Sequence, residues 1–410
     1  MADHFFRHEG ARVVAALTAR LGTQRLQLAE DVVQEALLRA LQTWSYRGVP
    51  DNPAAWLTQV AKNLALNALR RDRRWHESGD GVAVEQALSA PPDDVQHDTF
   101  ADDTLRMMFV CLHPELSVDA QIALALRTLC GFSADEIAAA FFASEAAIAK
   151  RLVRARQRIR ELALPFVVPD ANALAPRLHG VLHTLYLLFN EGYKASTGDR
   201  LVRDELCHEA IRLVTLLSEH AATKGPQVSA LLALMLLNAA RLRARTDEAG
   251  HLLRLHEQDR RGWDRAMIAR GLACLHHSAQ GGTLSAYHVE ASIAATHCLA
   301  ADAAATDWPR ILQLYDRLLA LTGSPVTAMN RAVAVARVRG PQAGLDALDA
   351  IEQRGVLEIS HLYHAMRGTF AAELGRAGVA LACFHRAASL ATLPAERDFI
   401  AQRIRECSSG

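Results

Sequence analysis

The chain has 410 residues, 50% of them hydrophobic and 22% charged, with 45 basic side chains against 45 acidic ones. At roughly 100 to 200 residues per domain that length holds several cores, which excludes a single small binding module, a disordered chain and a fibrous repeat. The balanced total charge excludes no class of partner, because a whole-chain sum hides local patches.

Aromatic residues are only 6% and Ala and Leu dominate the apolar share, so good helix formers outnumber β-branched strand builders and the expected fold is all-α. The start, MADHFFRHEG, carries no basic-then-apolar leader, and the strongest apolar run, 230–237, ends at Asn238 and is too short to span a bilayer. Seven cysteines stand singly without a CxxC pair, which disfavours a disulfide framework or a zinc ribbon. The expectation is a cytoplasmic protein with reduced thiols and no membrane contact.

In chain order, Val32, Val33, Ala36, Leu37, Ala40, Leu41 and Trp44 recur as one helix face, with Asp31, Gln34, Glu35 and Arg39 on the other. A second helix starts at Asn52-Pro53, with Asn as the N-cap and Pro in the first position. It carries Trp56, Leu57, Val60, Ala61, Leu64 and Ala68 on one side, Asn63 and Asn67 at i, i+4, and ends in Arg70, Arg71, Arg73 and Arg74. An acidic spacer follows: Asp80, Glu85, Asp93, Asp94, Asp98, Asp102 and Asp103, with no Lys or Arg among them and a Pro91-Pro92 pair inside, the composition of a linker.

Beyond the spacer, Ser133 and Glu136 form a capping box, a short helix runs through Phe142, and Ser144 caps a longer helix to about Arg160. Two helices joined by a tight turn, the second carrying Lys150, Arg151, Arg154, Arg156, Arg158 and Arg160, make a helix-turn-helix candidate. Ile148, Leu152 and Ile159 face inward, and the first turn, Ser144 and Glu145 onward, would lie closest to base edges while the cations meet phosphates. After Pro165 and Pro169 come about 240 residues of helical patterns without charge bias. Gly368, Ala380, Phe384 and Ala387 stand at tetratricopeptide offsets, repeated by Ala332, Gly344, Leu348 and Ile351, which predicts stacked helix pairs. Asn190, Glu191, Gly192 and Tyr193, within YLLFNEGY, read as a helix end with Gly192 near the C-cap, either a structural corner or a ligand or interface site.

Nothing supports catalysis. No G-x-S-x-G, P-loop or G-x-G-x-x-G occurs, and the 18 histidines, His276-His277 and Cys111-x-His113 included, lack metal spacing. No enzyme, no cofactor and no metal are expected.

LAEDVVQEALLRALQTW followed by NPAAWLTQVAKNLALNALRRDRR resembles region 2 of a sigma-70-type factor, and VDAQIALALRTLCGFSADEIAAAF to AKRLVRARQRIR resembles its region 4. The third segment resembles the long helical extension of one subgroup of the extracytoplasmic function (ECF) sigma factors, in blocks such as LYLLFNEGYKAS, EQDRRGWDRAMI and SPVTAMNRAVAVA. The resemblance implies region 2 over 1–78, an acidic linker over 79–101, a region 4 helix-turn-helix over 102–165 and a tetratricopeptide-like helical domain over 166–410.

It further implies that Asp31, Gln34 and Glu35 engage the β′ clamp helices of the RNA polymerase core. Trp56, Asn63, Asn67, Arg70, Arg71, Arg73 and Arg74 would hold the minus-10 element, and Ser144, Glu145, Lys150, Arg151, Arg154, Arg156 and Arg158 the minus-35 element, with the preceding helices on the β flap. Opening the minus-10 strand costs a few kcal/mol per flipped base, offset by stacking and cation contacts. Control of activity is expected from the chain's own extension docking on the sigma regions, with the 190–193 motif at or near the hinge. The acidic spacer is expected to imitate a nucleic-acid strand or to shield the arginines. Ala146 and Ala147 stand where many region 4 domains carry larger polar side chains, which shifts readout toward phosphates and DNA shape. The alternative is a stand-alone helix-turn-helix regulator with a ligand- or protein-sensing repeat domain, which would not need the polar face of the Asp31 helix.

Overall fold

The computed structural model describes residues 2–75, 97–141, 143–194, 202–247, 253–352, 355 and 357–409, and among these the fold is all-α. The chain divides into two compact units, residues 1–187 and 188–410.

The first unit opens with three long helices, α1 (Ala2–Leu21), α2 (Leu26–Arg47) and α3 (Pro53–Trp75). Helices α1 and α2 pack together, with Val13, Val14, Leu17 and Leu21 of α1 and Val32, Val33, Ala36 and Ala40 of α2 all buried. Leu41, expected on the buried face of α2, is 56% exposed. Helix α3 buries Leu57, Ala61, Ala65 and Leu69, a stripe at strict four-residue spacing whose small residues allow close approach. Its start is capped as the sequence predicts, Asn52 Oδ1 accepting from the Ala55 amide at 3.0 Å.

Helix α4 (His97–Cys111) follows, and its second half, Leu105 and Met107 to Cys111, is buried all round, the signature of a central core helix. It packs against α1. Helix α4 also takes up the end of the expected acidic spacer: Asp98, Asp102 and Asp103 are helical, and Asp103 is buried and 2.9 Å from the Arg106 guanidinium. Asp80, Glu85, Asp93 and Asp94 lie outside the described residues. Helix α5 (Val118–Leu124) runs into a π-helical turn, Ala125–Leu129, and then come α6 (Ala134–Phe141) and α7 (Glu145–Leu162).

Helix α8 (Ala171–Tyr193) begins in the first unit, where Arg177 donates to the Phe109 carbonyl at 2.5 Å and Thr184 Oγ1 to Gln121 Oε1 at 2.8 Å. These bonds carry the unit past the break expected at Pro165.

The second unit is a succession of helices: α9 (Asp204–Glu219), α10 (Pro226–Ala239), α11 (Arg265–Ser278), α12 (Ala286–Leu299), α13 (Trp308–Thr322), α14 (Pro325–Arg339), α15 (Pro341–Asp349), α16 (His361–Glu373), α17 (Ala377–Leu390) and α18 (Pro394–Ser409). The apolar run 230–237 is the middle of α10, buried on every side by α9, α11 and α12. None of the described helices is long and apolar enough to cross a membrane.

Towards the C-terminus α14 pairs with α15 and α16 with α17. The repeat positions seen in the sequence pack by exchange of volume. Gly368 leaves room for the Phe384 ring, to which an added Cβ would stand 2.8 Å away, whereas the matching position, Ala332, shares a cluster with the smaller Leu348. Ala380, Phe384 and Ala387 are fully buried, as are Ala332 and Leu348.

Candidate nucleic-acid interface

Helix α3 presents Asn63, Asn67, Arg70 and Arg71 on one exposed stripe, opposite its buried Leu57, Ala61, Ala65 and Leu69. The 3.6-residue period forces this separation, since positions 61 and 63 point about 200° apart. Asn63 Oδ1 accepts from Gln59 Nε2 at 3.0 Å, and Arg71 Nε reaches the Asn67 carbonyl at 3.4 Å. Arg73 and Arg74 fall on the last turn of α3, and their side chains lie outside the described residues.

Trp56 stands at the head of the helix, half-buried, edge-on to Trp44 with ring centroids 5.4 Å apart, and Phe6 also stacks on Trp44. The Trp56 ring is thus anchored in an aromatic cluster.

On α2, Asp31, Gln34 and Glu35 are exposed, as the face opposite Val32, Val33 and Ala36 must be. Glu35 pairs with Arg39 at 2.8 Å. Partial burial raises the Asp31 pKa, against the opposing pull of Arg156 and Arg127.

Helix α7 is the second basic element. Ser133 and Glu136 form the expected reciprocal cap at the start of α6, and Ser144 Oγ accepts from the Ala147 amide at 3.2 Å to start α7. Ile148, Leu152, Ala155 and Ile159 are buried, which turns Lys150, Arg151, Arg154 and Arg158 outward on one face, with Ser144, Glu145, Ala146 and Ala147 exposed at its head. This face meets Glu115, Ser117 and Asp119 in a shallow cleft. Arg158 pairs with Glu115 at 2.8 Å and Arg151 with Asp119 at 3.4 Å. Exposed pairs of this kind contribute about 0 to 1 kcal/mol, so exchanging a carboxylate for a phosphate is easy.

Arg156 does not join this face. It lies on the opposite side of α7, its side chain 11% exposed, 2.6 Å from the Glu30 carboxylate of α2. Period reasoning separates Arg156 from Arg154 and Arg158, but no pattern in the sequence marks its buried partner 126 positions away.

The 190–193 motif, in the second unit, is built into a tight corner. A Cβ on Gly192 would stand 2.8 Å from the Arg203 carbonyl oxygen, the Cys207 nitrogen and the Leu206 Cβ, and the Arg203 amide donates to the Gly192 carbonyl at 2.8 Å. The Tyr193 ring stacks on Phe189, lies beneath the Arg245 guanidinium at 3.9 Å and has Arg241 at 5.5 Å, while Arg245 also donates to the Tyr193 carbonyl. The Asn190 carbonyl accepts from the Lys194 amide, and Lys194 reaches Glu396 of α18 at 3.5 Å, where His361 also binds. Gly192 thus lies next to the last residue of α8, near its C-cap as the sequence predicts, and serves close approach by the start of α9.

A cleft of about 560 Å³ lies elsewhere in this unit among His256, His297, Trp308 and Tyr315. Its arginines are engaged: Arg254 with Glu257, Arg337 3.8 Å from Glu373, and Arg260 with the His297 and Ala300 carbonyls and Thr306. Burial, with Arg241 and Arg260 nearby, lowers the His297 pKa to about 3, so this ring is neutral. No group of three or more His, Cys, Asp or Glu side chains able to hold a metal occurs among the described residues.

Comparison with known families accounts for this arrangement. Residues 5–75 match sigma-70 region 2, residues 106–159 match sigma-70 region 4, and residues 177–279 match a family of unknown function, DUF6596. Both sigma regions, in this order on one chain, define an RNA polymerase sigma factor. An uncharacterized protein of Rhizobium meliloti (strain 1021) is 40% identical over 390 residues, 93% of this chain and 90% of that protein. The ECF RNA polymerase sigma factor EcfG of Rhodopseudomonas palustris is 32% identical over 134 residues, 33% of this chain and 70% of its own. The ECF RNA polymerase sigma-E factor of Escherichia coli K12 is 30% identical over 149 residues, 33% and 74% respectively. No solved structure matches. The chain belongs to the ECF RNA polymerase sigma factors, and it carries a C-terminal helical extension beyond regions 2 and 4.

Proposed function

We propose that this sigma factor reads a two-part promoter with the two basic faces described above. The α3 stripe of Asn63, Asn67, Arg70 and Arg71, continued by Arg73 and Arg74 and headed by Trp56, takes the minus-10 element and its opened strand. The α7 face of Lys150, Arg151, Arg154 and Arg158, with Ser144 and Glu145 at its head, takes the minus-35 element. Asp31, Gln34 and Glu35 engage the β′ clamp helices, and the region 4 helices before α7 meet the β flap. The observation that carries this reading is the presence of two separate exposed cationic stripes, each opposite a buried apolar one, on helices of two different sigma regions.

The extension controls activity from within the same chain by contact with the sigma regions, with the 190–193 corner as its root. That corner is held by Arg245, Arg203 and Lys194 contacts inside the second unit, which favours a rigid anchor at this position over a loose hinge.

Run-off transcription with polymerase core on a genomic promoter library tests both statements. The full chain is compared with one ending after Lys194, which keeps all of α8 and its bonds to Phe109 and Gln121. Discrete transcripts are expected from the full chain, and a change on truncation gives the sign of control. Equal transcription from both removes the regulatory role. Sequence-specific DNA binding without core, and no transcripts, would point to a stand-alone regulator.

A further inference from the structure

The cleft beside His297, Trp308 and Tyr315 in the second unit has a chemistry unlike that of the two basic stripes. Its wall is drawn from the 254–260 stretch, the end of α12, the turn before α13, and α13, α14 and α16. Its volume of about 560 Å³ falls within the roughly 300 to 1,000 Å³ of small-molecule sites.

Two sets of side chains meet there. The first is apolar and flat. Trp308, half-buried, stands edge-on to the His297 ring with centroids 5.5 Å apart, Tyr315 lies two turns further along the same side of α13, and Leu255 and Val333 extend the wall. The polar aromatics in it are uncharged at neutral pH. Burial, with Arg241 and Arg260 nearby, holds the His297 pKa at about 3, and burial raises that of Tyr315 to about 12.

The second set is cationic. Arg254, Arg260 and Arg337 line the cleft, against one lining carboxylate, Glu373. Arg254 pairs with Glu257, and Arg337 stands 3.8 Å from Glu373; both pairs are partly exposed, the kind that holds weakly and yields to another anion. Arg260 differs. It is 5% exposed, and its three acceptors, the His297 and Ala300 carbonyls and Thr306 Oγ1, are all neutral. The carbonyls close the C-terminal end of α12, whose dipole offsets only about half a charge, and Asp302 attracts the guanidinium without forming an ion pair. Part of the Arg260 charge is therefore left to act on the cleft. Arg260 Nε and His297 Nδ1 are also buried and make no hydrogen bond to any described residue, so the wall keeps polar capacity that its own fold does not use.

We propose that this cleft binds a small organic anion, a flat aromatic body with one anionic head. The body lies against Trp308, Tyr315 and Val333, and the head meets Arg254 and Arg337 in the field of Arg260. A carboxylate and a phosphate satisfy guanidinium groups by the same charge-assisted bonds, so the test separates the two. The inference concerns the second unit alone and does not depend on the promoter reading.

Isothermal titration calorimetry of the full chain compares naphthoate, naphthyl phosphate, the neutral naphthalenemethanol and inorganic phosphate. At least one of the two aromatic anions should bind tenfold or more tightly than naphthalenemethanol, and the better of them identifies the head group. Inorganic phosphate, which lacks the body, should bind at least tenfold more weakly than that anion. Arg337→Gln and Arg254→Gln should each weaken the preferred anion by about tenfold and leave naphthalenemethanol unchanged, a split that misfolding would not produce. Trp308→Leu should weaken both ligands. Arg260 is left intact because it holds the end of α12. Aromatic anions that bind no better than naphthalenemethanol overturn the proposal, as does inorganic phosphate binding as tightly as they do. It is equally overturned if Arg337→Gln and Arg254→Gln both bind the anion like wild type, the result expected were the anion held on the α7 stripe instead.

Discussion

Replacing Gly192 by Ala measures how tightly the α8 to α9 corner is built. The added methyl carbon would stand 2.8 Å from the Arg203 carbonyl oxygen, the Cys207 nitrogen and the Leu206 Cβ. Two of the three are backbone atoms of a helix start and cannot swing aside, so the overpacking cost falls at the upper end of about 1 to 3 kcal/mol. Greater helix propensity of Ala returns up to about 1 kcal/mol, which leaves a net loss of about 2. For a unit of this size the melting transition should drop by roughly 4 to 8 °C. Gly378→Ala is the control: it sits in the first turn of α17, exposed, with nothing within 4 Å of its Cβ position, and should raise the same transition by a few degrees at most. Scanning calorimetry of the full chain, resolving the two units, reads both. A Gly192→Ala protein melting within a degree of wild type would refute the packing argument, and a matching drop in Gly378→Ala would show that the effect has nothing to do with close approach.

Three other outcomes are expected. Arg154→Ala should weaken promoter binding by the holoenzyme about equally across sequences and reduce the salt slope by about one, read by fluorescence anisotropy at several salt concentrations, because this exposed side chain lies on the α7 stripe proposed to meet phosphates. His297, held neutral with a pKa of about 3, binds fewer protons folded than unfolded, so the stability it lends is complete above about pH 6.5 and is lost as pH falls toward 3, by up to about 1.4 kcal/mol per pH unit. Urea midpoints of the second unit at pH 5 and 7.5 should therefore differ less in His297→Phe, which keeps a ring against Trp308, than in wild type. Phe384→Ala should destabilise the C-terminal helices by about 3 to 5 kcal/mol, seen as faster amide exchange over α16 and α17, since the ring fills the space that Gly368 leaves.

Local rules were sufficient for much of this. Asn52, Ser133 with Glu136, and Ser144 announce three helix starts because a side-chain acceptor followed by an apolar period has few other uses, and each makes the bond its position requires. The outward turn of Lys150, Arg151, Arg154 and Arg158 follows from Ile148, Leu152 and Ile159 by period alone. The repeat spacing near the C-terminus named Gly368 and Phe384 as equivalents of Ala332 and Leu348, though not that each pair exchanges volume across its helix pair.

What pattern could not supply was every contact between residues far apart in the chain. Asp98, Asp102 and Asp103 read as linker by composition, yet α4 forms through them because its apolar half, Met107 to Cys111, finds α1 to pack on. The 190–193 motif admitted a corner or a ligand or interface site, and the distant Arg245 guanidinium, which no pattern in the sequence marks, packs over Tyr193 in a tight corner. Arg156 looked like one more cation of a DNA-facing helix, but the structure pairs it with Glu30, whose carboxylate also accepts from Thr128 Oγ1. Sequence determined helix identity, face and charge, which are set within a few turns of backbone. Tertiary structure alone decided partner and availability, because burial of a charge depends on which distant surface arrives to cover it.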